Sequence, residues 1–333
     1  MFVNLTIKPR WVRRRQFWHR FFLFLFIFLL GTSIFYFKNL SGPNRLVGFF
    51  YGPAKGGDSE ELPPIVLPPP VPIPVQVTST TAPTTSAASV AVKDVTSGVI
   101  IYDKNAGENR VLASITKLMS ALVVLESNPN WTATTTVVAD NVDDTHMYAG
   151  DTYTMRDLWN MTLIASSNKA ILSMVDALGQ PRAMFVERMN NKARELGMHN
   201  TVFVEPTGLG EGNTSNAFDT SILLNTAMNS PEIHEALIIP EYEIYSVERK
   251  KKHHVWNTNW LLLGWVPHSF HALGGKTGYT PAAGYNVALE VQDDLGHTLD
   301  VVVFGAATNE ARFTDARDIA DWVYQNFSWS TVR

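Results

Sequence analysis

Seven prolines fall within the thirteen residues of Leu62–Pro74, LPPIVLPPPVPIP. Proline locks φ and offers no backbone donor, so neither a helix nor an inner strand can run through such a stretch. The segment is expected to adopt polyproline II. At ~3.1 Å per residue it makes a semi-rigid spacer of roughly 40 Å, extended by the Thr/Ser/Ala tract that runs to about Ser89. A PxxP ligand has the same composition, but a spacer suits a domain tethered beside a membrane. Residues 38–87 therefore read as a linker, and a core must be sought on one side of it.

The upstream side is too short and too unusual for that core. Lys8, Arg10, Arg13, Arg14, Arg15 and Arg20 precede the uncharged run Phe21–Phe37, FFLFLFIFLLGTSIFYF. Its seventeen residues span roughly 25 Å as a helix, near the lower limit for a bilayer core. The basic flank predicts a cytoplasmic segment over residues 1–20, an anchor over 21–37 and export of everything later. A cleaved signal peptide is the competing reading, and no small-x-small cleavage site follows the run. The expected location is the bacterial cytoplasmic membrane, crossed once, with the folded domain outside.

Charge separates the halves further. Residues 1–57 carry nine Lys/Arg and no acid, so the other 18 basic residues (27 less 9) stand against 31 acidic ones. An acidic folded part excludes a nucleic-acid surface, which needs a basic footprint. Zero cysteines remove disulfides, thiolate nucleophiles and Cys-based zinc sites together. His253-His254 and His268-x-x-His271 lack the adjacent glutamate and helical spacing of H-E-x-x-H, so neither a metal nor a cofactor is expected.

Residues 88–333 are thus left to form the globular domain. SVAVKDV, a turn at Thr96-Ser97-Gly98 and VIIYDKN predict a hairpin. Ile115–Glu126 is apolar almost all round and predicts a buried helix. Thr154-Met-Arg-Asp157 resembles a capping box opening a helix to about Ala165, and further helices are expected from Lys169 to Leu178 and between Pro181 and Gly197. GYNVALEV and TLDVVVFGAA predict two strands joined by Asp293–Gly296, and Thr314 opens a last helix to about Phe327. Strands at both ends of a helical middle define an α+β domain, its antiparallel sheet closed by the first and last segments.

Three short patterns carry the chemistry. Ser114-x-x-Lys117 puts a hydroxyl and an amine on one face of the buried helix. There, desolvation favours the neutral, basic lysine, and free N–H groups at the helix start face a developing oxyanion. A helix cap with a snorkelling lysine would show the same spacing, and Ser166-Ser-Asn-Lys169 repeats it. Ser166-x-Asn168, in LIASSNKAIL, sets a proton-passing hydroxyl and a carboxamide on a helix-to-helix corner; plain cap chemistry gives the same pattern. Lys276-Thr277-Gly278, in GGKTGYT just before a predicted strand, offers a cation and a hydroxyl for a substrate carboxylate, and the Tyr279 N–H is a candidate oxyanion donor. A glycine-rich turn is the alternative.

In this order the three patterns resemble those of the penicillin-recognising serine enzymes, S-x-x-K, S-D-N and K-T-G. The order selects Ser114 over Ser166, since no Ser-x-Asn lies between Ser166 and Lys276. VLASITKLMSAL, TVFVEPTGL and GGKTGYTPAAGYNVAL extend the resemblance over about residues 88–330, to low-molecular-mass penicillin-binding proteins of the D-alanyl-D-alanine carboxypeptidase family. It implies a β-lactamase/transpeptidase-like fold with a helical subdomain and hydrolysis of D-Ala-D-Ala peptides of peptidoglycan through a Ser114 acyl-enzyme. β-Lactams are implied as covalent inhibitors. By matching positions, Lys117 would be the base, Ser166 and Asn168 would line the proton path and hold substrate, and Lys276, Thr277, Gly278 and Tyr279 would receive carboxylate and oxyanion. Arg312, in TNEARF, matches a carboxylate-binding arginine. Ser167 departs from the aspartate of related lactamases. D,D-endopeptidase activity is the alternative; a β-lactamase deacylating through Glu205, or a non-catalytic wall-binding module, fits the residues less well.

Overall fold

The computed structural model describes residues 71–144 and 146–330. The basic segment, the apolar run and most of the proline-rich spacer lie outside them. Among the described residues no helix is long and apolar enough to cross a membrane.

In chain order the main elements begin with β1 (Ile73–Gln76), β2 (Ser89–Asp94) and β3 (Ile100–Lys104). Helices α1 (Thr116–Leu125), α2 (Met155–Leu163), α3 (Asn168–Ala177), α4 (Arg182–Glu195), α5 (Ala217–Met228) and α6 (Pro231–Leu237) form the middle. Then come β4 (Glu241–Ser246), β5 (Lys251–Trp256), β6 (His271–Thr280), β7 (Gly284–Gln292), β8 (Thr298–Ala306), α7 (Ala311–Asn326) and β9 (Phe327–Ser330).

Five of the strands form one antiparallel sheet in the order β6-β7-β8-β2-β3. The first strands of the domain therefore pair with the last, Ser89 opposite Phe304 and Asp94 opposite Leu299. This is the predicted closure. Period-2 alternation sends Val90, Val92, Val287, Leu289, Val301 and Val303 to one face, where they pack on Phe313, Ile319 and Val323 of α7. Ala91, Ala288 and Val302 point the other way, into a core shared with Leu223 and Leu224 of α5 and with α1. A sheet covered on both faces has no polar side, which is why VVVFGAA reads as a continuous apolar run.

Local signals hold where a side chain closes a backbone group. Thr154 Oγ1 accepts from Asp157 N at 3.0 Å, while Asp157 Oδ2 accepts from Thr154 N at 3.3 Å, so the expected capping box opens α2. The final helix starts at Ala311, three residues before Thr314. Two expectations need larger correction. Lys276-Thr277-Gly278 lies inside a ten-residue edge strand, β6, rather than just ahead of one. Its glycines serve close packing: a Cβ on Gly275 would meet Ala288 O at 2.3 Å. The folded part also starts earlier than residue 88. Ile73–Gln76, at the end of the proline-rich stretch, pairs antiparallel with Phe327–Ser330 as an edge ribbon, a place where proline costs little.

Candidate active site

Ser114 sits in a single 3₁₀ turn, Ala113–Ile115, that leads directly into α1. The turn is held on three sides. Asn286, from the AGYN segment of β7, donates to Val111 O at 2.8 Å and Leu112 O at 3.3 Å, and its Oδ1 accepts from Gly305 N at 2.8 Å. Gly278 of β6 lies so close that a Cβ there would meet Ser114 N at 2.9 Å and Leu112 O at 2.8 Å. Gly208, with φ +91°, would place a Cβ 1.9 Å from Ala113 O. Only glycine fits at these two contacts. Ala113 itself adopts φ +50°, a left-handed state that an alanine holds only under such constraint.

Lys117 lies one turn below, fully buried on α1. Its Nζ donates to Asn168 Oδ1 at 2.7 Å and to Thr207 O at 2.7 Å and lies 2.9 Å from Ser114 Oγ, to which the ammonium donates and from which the free amine accepts. Burial brings its pKa down to about 7, against the opposing pull of the Glu205 and Asp144 carboxylates. A lysine at that value exists half as free amine near neutrality, which a general base requires.

Ser166 occupies the corner between α2 and α3 with φ +62°. Lys276 Nζ donates to its Oγ at 2.8 Å and to Thr277 O at 3.1 Å. Lys276 is also fully buried. Burial, then the positive charges of Lys117 and Arg312, hold its pKa well below the usual lysine range. Thr277 Oγ1 donates to Thr258 Oγ1 at 2.7 Å. The three sequence patterns thus meet in one cleft: α1 brings the serine–lysine pair, the α2–α3 corner brings Ser166 and Asn168, and β6 closes the side.

Arg312, at the start of α7, lies buried behind β6 and not in the cleft mouth. Its Nη1 donates to Gly278 O at 3.2 Å and Asn286 O at 3.3 Å, and burial lowers its pKa to about 10. Tyr279 projects outward and stacks on Tyr285 at 4.4 Å. The histidine pairs stay apart in role: His254 meets Glu241, His268 meets Val266 O and His271 meets Asp294. No three His, Asp or Glu side chains among the described residues converge on a common point.

Three supporting roles escaped the sequence reading, which named Glu205 only as the deacylating residue of a rival β-lactamase. Asp144 accepts from Ser167 Oγ at 2.5 Å and from the backbone N of Lys169, His146 and Met147, so it ties down the corner that aims Asn168. Glu205 accepts from Thr207 N and Gly208 N, both at 2.6 Å, which curls the loop whose Thr207 carbonyl receives Lys117. Asn286 is the third. Only the short EPTGL and AGYN patterns marked the last two, and nothing local marked Asp144.

Comparison with known proteins identifies the family. Residues 76–308 match the D-alanyl-D-alanine carboxypeptidase family, and the chain belongs to it. The carboxypeptidase DacF of Bacillus subtilis is 29% identical over 251 residues, covering 72% of this chain and 63% of that protein. A D-alanyl-D-alanine endopeptidase of Pseudomonas aeruginosa is 28% identical over 243 residues, 72% of this chain and 77% of that one. Among solved structures, the Streptomyces K15 DD-transpeptidase aligns at TM-score 0.67 and 28% identity over 74% of this chain and 100% of that chain. Penicillin-binding protein D2 of Listeria monocytogenes, solved with ampicillin bound, aligns at 0.64 and 29% identity over 74% and 100%. The α+β transpeptidase-like architecture is shared with both.

Proposed function

We propose that this chain is a serine-type D-Ala-D-Ala carboxypeptidase in which Ser114 is acylated and neutral Lys117 is its base. The single observation that carries the reading is the 2.9 Å contact between Lys117 Nζ and Ser114 Oγ, made by a buried amine with a pKa of about 7. Substrate enters with its terminal carboxylate at Lys276 and Thr277, with the charge of Arg312 acting from behind β6. The Ser114 proton passes to Lys117 as Oγ bonds to the carbonyl carbon of the penultimate D-alanine. The N–H groups of Ser114 and Tyr279 receive the oxyanion. The C–N bond then breaks, the leaving amine takes its proton through Ser166, and water hydrolyses the ester. Asn168 holds both Lys117 and the substrate amide.

β-Lactams are expected to acylate the same serine, a reading supported by the likeness to the ampicillin-bound Listeria protein. The apolar run Phe21–Phe37 and its basic flank support an uncleaved anchor in the bacterial cytoplasmic membrane, with the catalytic domain outside. A second reading, cleavage of cross-links by a D,D-endopeptidase, is favoured by the 77% coverage of the Pseudomonas endopeptidase. Treating the protein with penicillin and mapping the adduct by mass spectrometry tests the site. No adduct, or one on a peptide lacking Ser114, overturns it. Parallel assays on a D-Ala-D-Ala pentapeptide and on cross-linked muropeptides separate the two activities.

A further inference from the structure

Tryptophan is seldom left in water, yet Trp256 is 50% and Trp265 53% exposed, while the other described tryptophans are buried or half-buried. The two exposed rings lie 6.0 Å apart at 56°, forming an open angle. Each packs on a further ring. Trp265 packs on Trp260 at 5.9 Å, and Trp260 stacks on Phe313 at 5.5 Å and 16°. His254 meets Trp256 edge-on at 5.0 Å. Packing on neighbouring rings narrows their rotamer freedom and so the entropy left to lose on binding.

Trp256 ends β5, and cross-strand register places Glu241 opposite it, Glu243 opposite His254 and Tyr245 opposite Lys252. The outward strip of this hairpin therefore runs from indole to polar side chains. Its polar groups are already partnered, with His254 on Glu241 at 2.8 Å and Lys252 on Glu243 at 2.7 Å. Along the chain the strip leads to the cleft. Two residues beyond Trp256, Thr258 accepts from Thr277 Oγ1 at 2.7 Å and donates its N–H to Ile164 O at 3.2 Å, two residues before Ser166.

An occupant of this face needs flat apolar surfaces edged with hydrogen-bonding groups. A β-linked pyranose has both: its axial C–H bonds carry slight positive charge toward the negative aromatic face, and its hydroxyl and acetamido groups reach the edge. A membrane is a poorer match, because binding to anionic lipid draws on unpaired lysines and arginines. Lys250 and Lys251 are exposed and, among the described residues, unpaired, but they stand at the opposite end of β5 from Trp256. On the strip itself Lys252 is held by Glu243. We propose that the Trp256–Trp265 face binds the N-acetylated sugar backbone of the wall polymer while the attached stem peptide enters the Ser114 cleft. This deepens the carboxypeptidase reading and rests on it for the identity of the polymer.

Titration of the full-length protein with chitotetraose, followed by tryptophan fluorescence and calorimetry, tests the site directly. Saturable binding is expected in the wild type and in Ser114→Ala. Trp256→Ala or Trp265→Ala should weaken it by about tenfold, the scale of one lost aromatic stack, with Trp256→Phe between. Circular dichroism and thermal melting identify any variant that fails to fold, and Trp265→Phe then takes its place. The same alanine variants should lower the ratio of kcat/KM on glycan-attached pentapeptide to that on free pentapeptide. No binding up to millimolar sugar, equal binding by folded alanine variants, or tryptophan-dependent binding to anionic vesicles in place of sugar would each overturn the proposal. Penicillin acylation of Ser114 reads the catalytic assignment separately, so the two can fail independently.

Discussion

The pH dependence of acylation tests the lysine-base assignment most closely. For a base with a pKa of about 7, roughly one-eleventh is neutral at pH 6, half at pH 7 and about ten-elevenths at pH 8. Acylation should therefore rise about tenfold between pH 6 and pH 8 and level off above, because the protonated amine cannot accept the Ser114 proton. The carboxylates of Glu205 and Asp144 pull that value upward against burial. Glu205→Gln removes one of them and should move the rising limb to lower pH. The assay is the second-order rate of labelled-penicillin incorporation from pH 5.5 to 9, with melting temperature recorded at each pH to exclude unfolding. Lys117→Ala should lower the plateau by roughly 10³-fold or more, as loss of a base does in units of this kind. A flat profile in the wild type, or near-normal acylation by Lys117→Ala, would refute the reasoning.

Gly208→Ala forces a Cβ against Ala113 O, 1.9 Å away, at φ +91°. It should cost about 3 kcal/mol in urea unfolding, the upper end of overpacking costs, and lower acylation as the Ser114 turn shifts. Asp144→Ala leaves the buried Ser167 hydroxyl and the Lys169 N–H without their acceptor. About 2 kcal/mol of stability should be lost, with acylation reduced as Asn168 drifts from Lys117. Glu290 and Asp300 face each other across β7 and β8 on the α5 side, and burial raises them to about 7 and about 6. A raised carboxyl favours the folded state while protonated, and that stability is lost as pH rises through the folded values. The contribution of this pair should thus fall from pH 5 to pH 8, against the opposite slope of the lowered Lys117 and Lys276. The melting temperature of the wild type relative to that of Glu290→Gln should therefore fall over that range.

Much of the candidate site was legible because its side chains come in short local spacings. One helical turn sets Ser114 and Lys117 together, and the ends of the sheet followed from strand patterns at both ends of the domain. What could not be read depended on distant partners. The capping box of α2 needs only Thr154 and Asp157, whereas the support of Asn168 comes from Asp144, twenty-four residues upstream with no periodic signal. Helix α5 was missed because it is buried among other elements: AFDTSILLNTAM mixes apolar residues with Asp219, Ser221 and Thr226 and shows no single wet face. The β4–β5 hairpin was hidden by a run of basic residues, Arg249–Lys252, that reads as a solvated loop. Glycines in β6 suggested a turn, since only the tertiary neighbours reveal that the space for a Cβ is already occupied.

The proposed use of two lysines where other hydrolases use histidine draws on the same burial. An imidazole titrates near neutrality in water, but an amine does so only when desolvation removes several kcal/mol of hydration from its charged form. Both Lys117 and Lys276 are fully buried, and Lys117 is a source of the depression at Lys276. Like charges there oppose one another, so a proton on one amine disfavours a proton on the other. On the proposed mechanism, a substrate carboxylate arriving at Lys276 favours the ammonium at that end, and this ammonium in turn favours the free amine at Lys117. Substrate binding then prepares its own base. The link fails if Lys276→Met binds substrate more weakly yet leaves the pH midpoint of Lys117 unmoved in both the free and the substrate-bound enzyme.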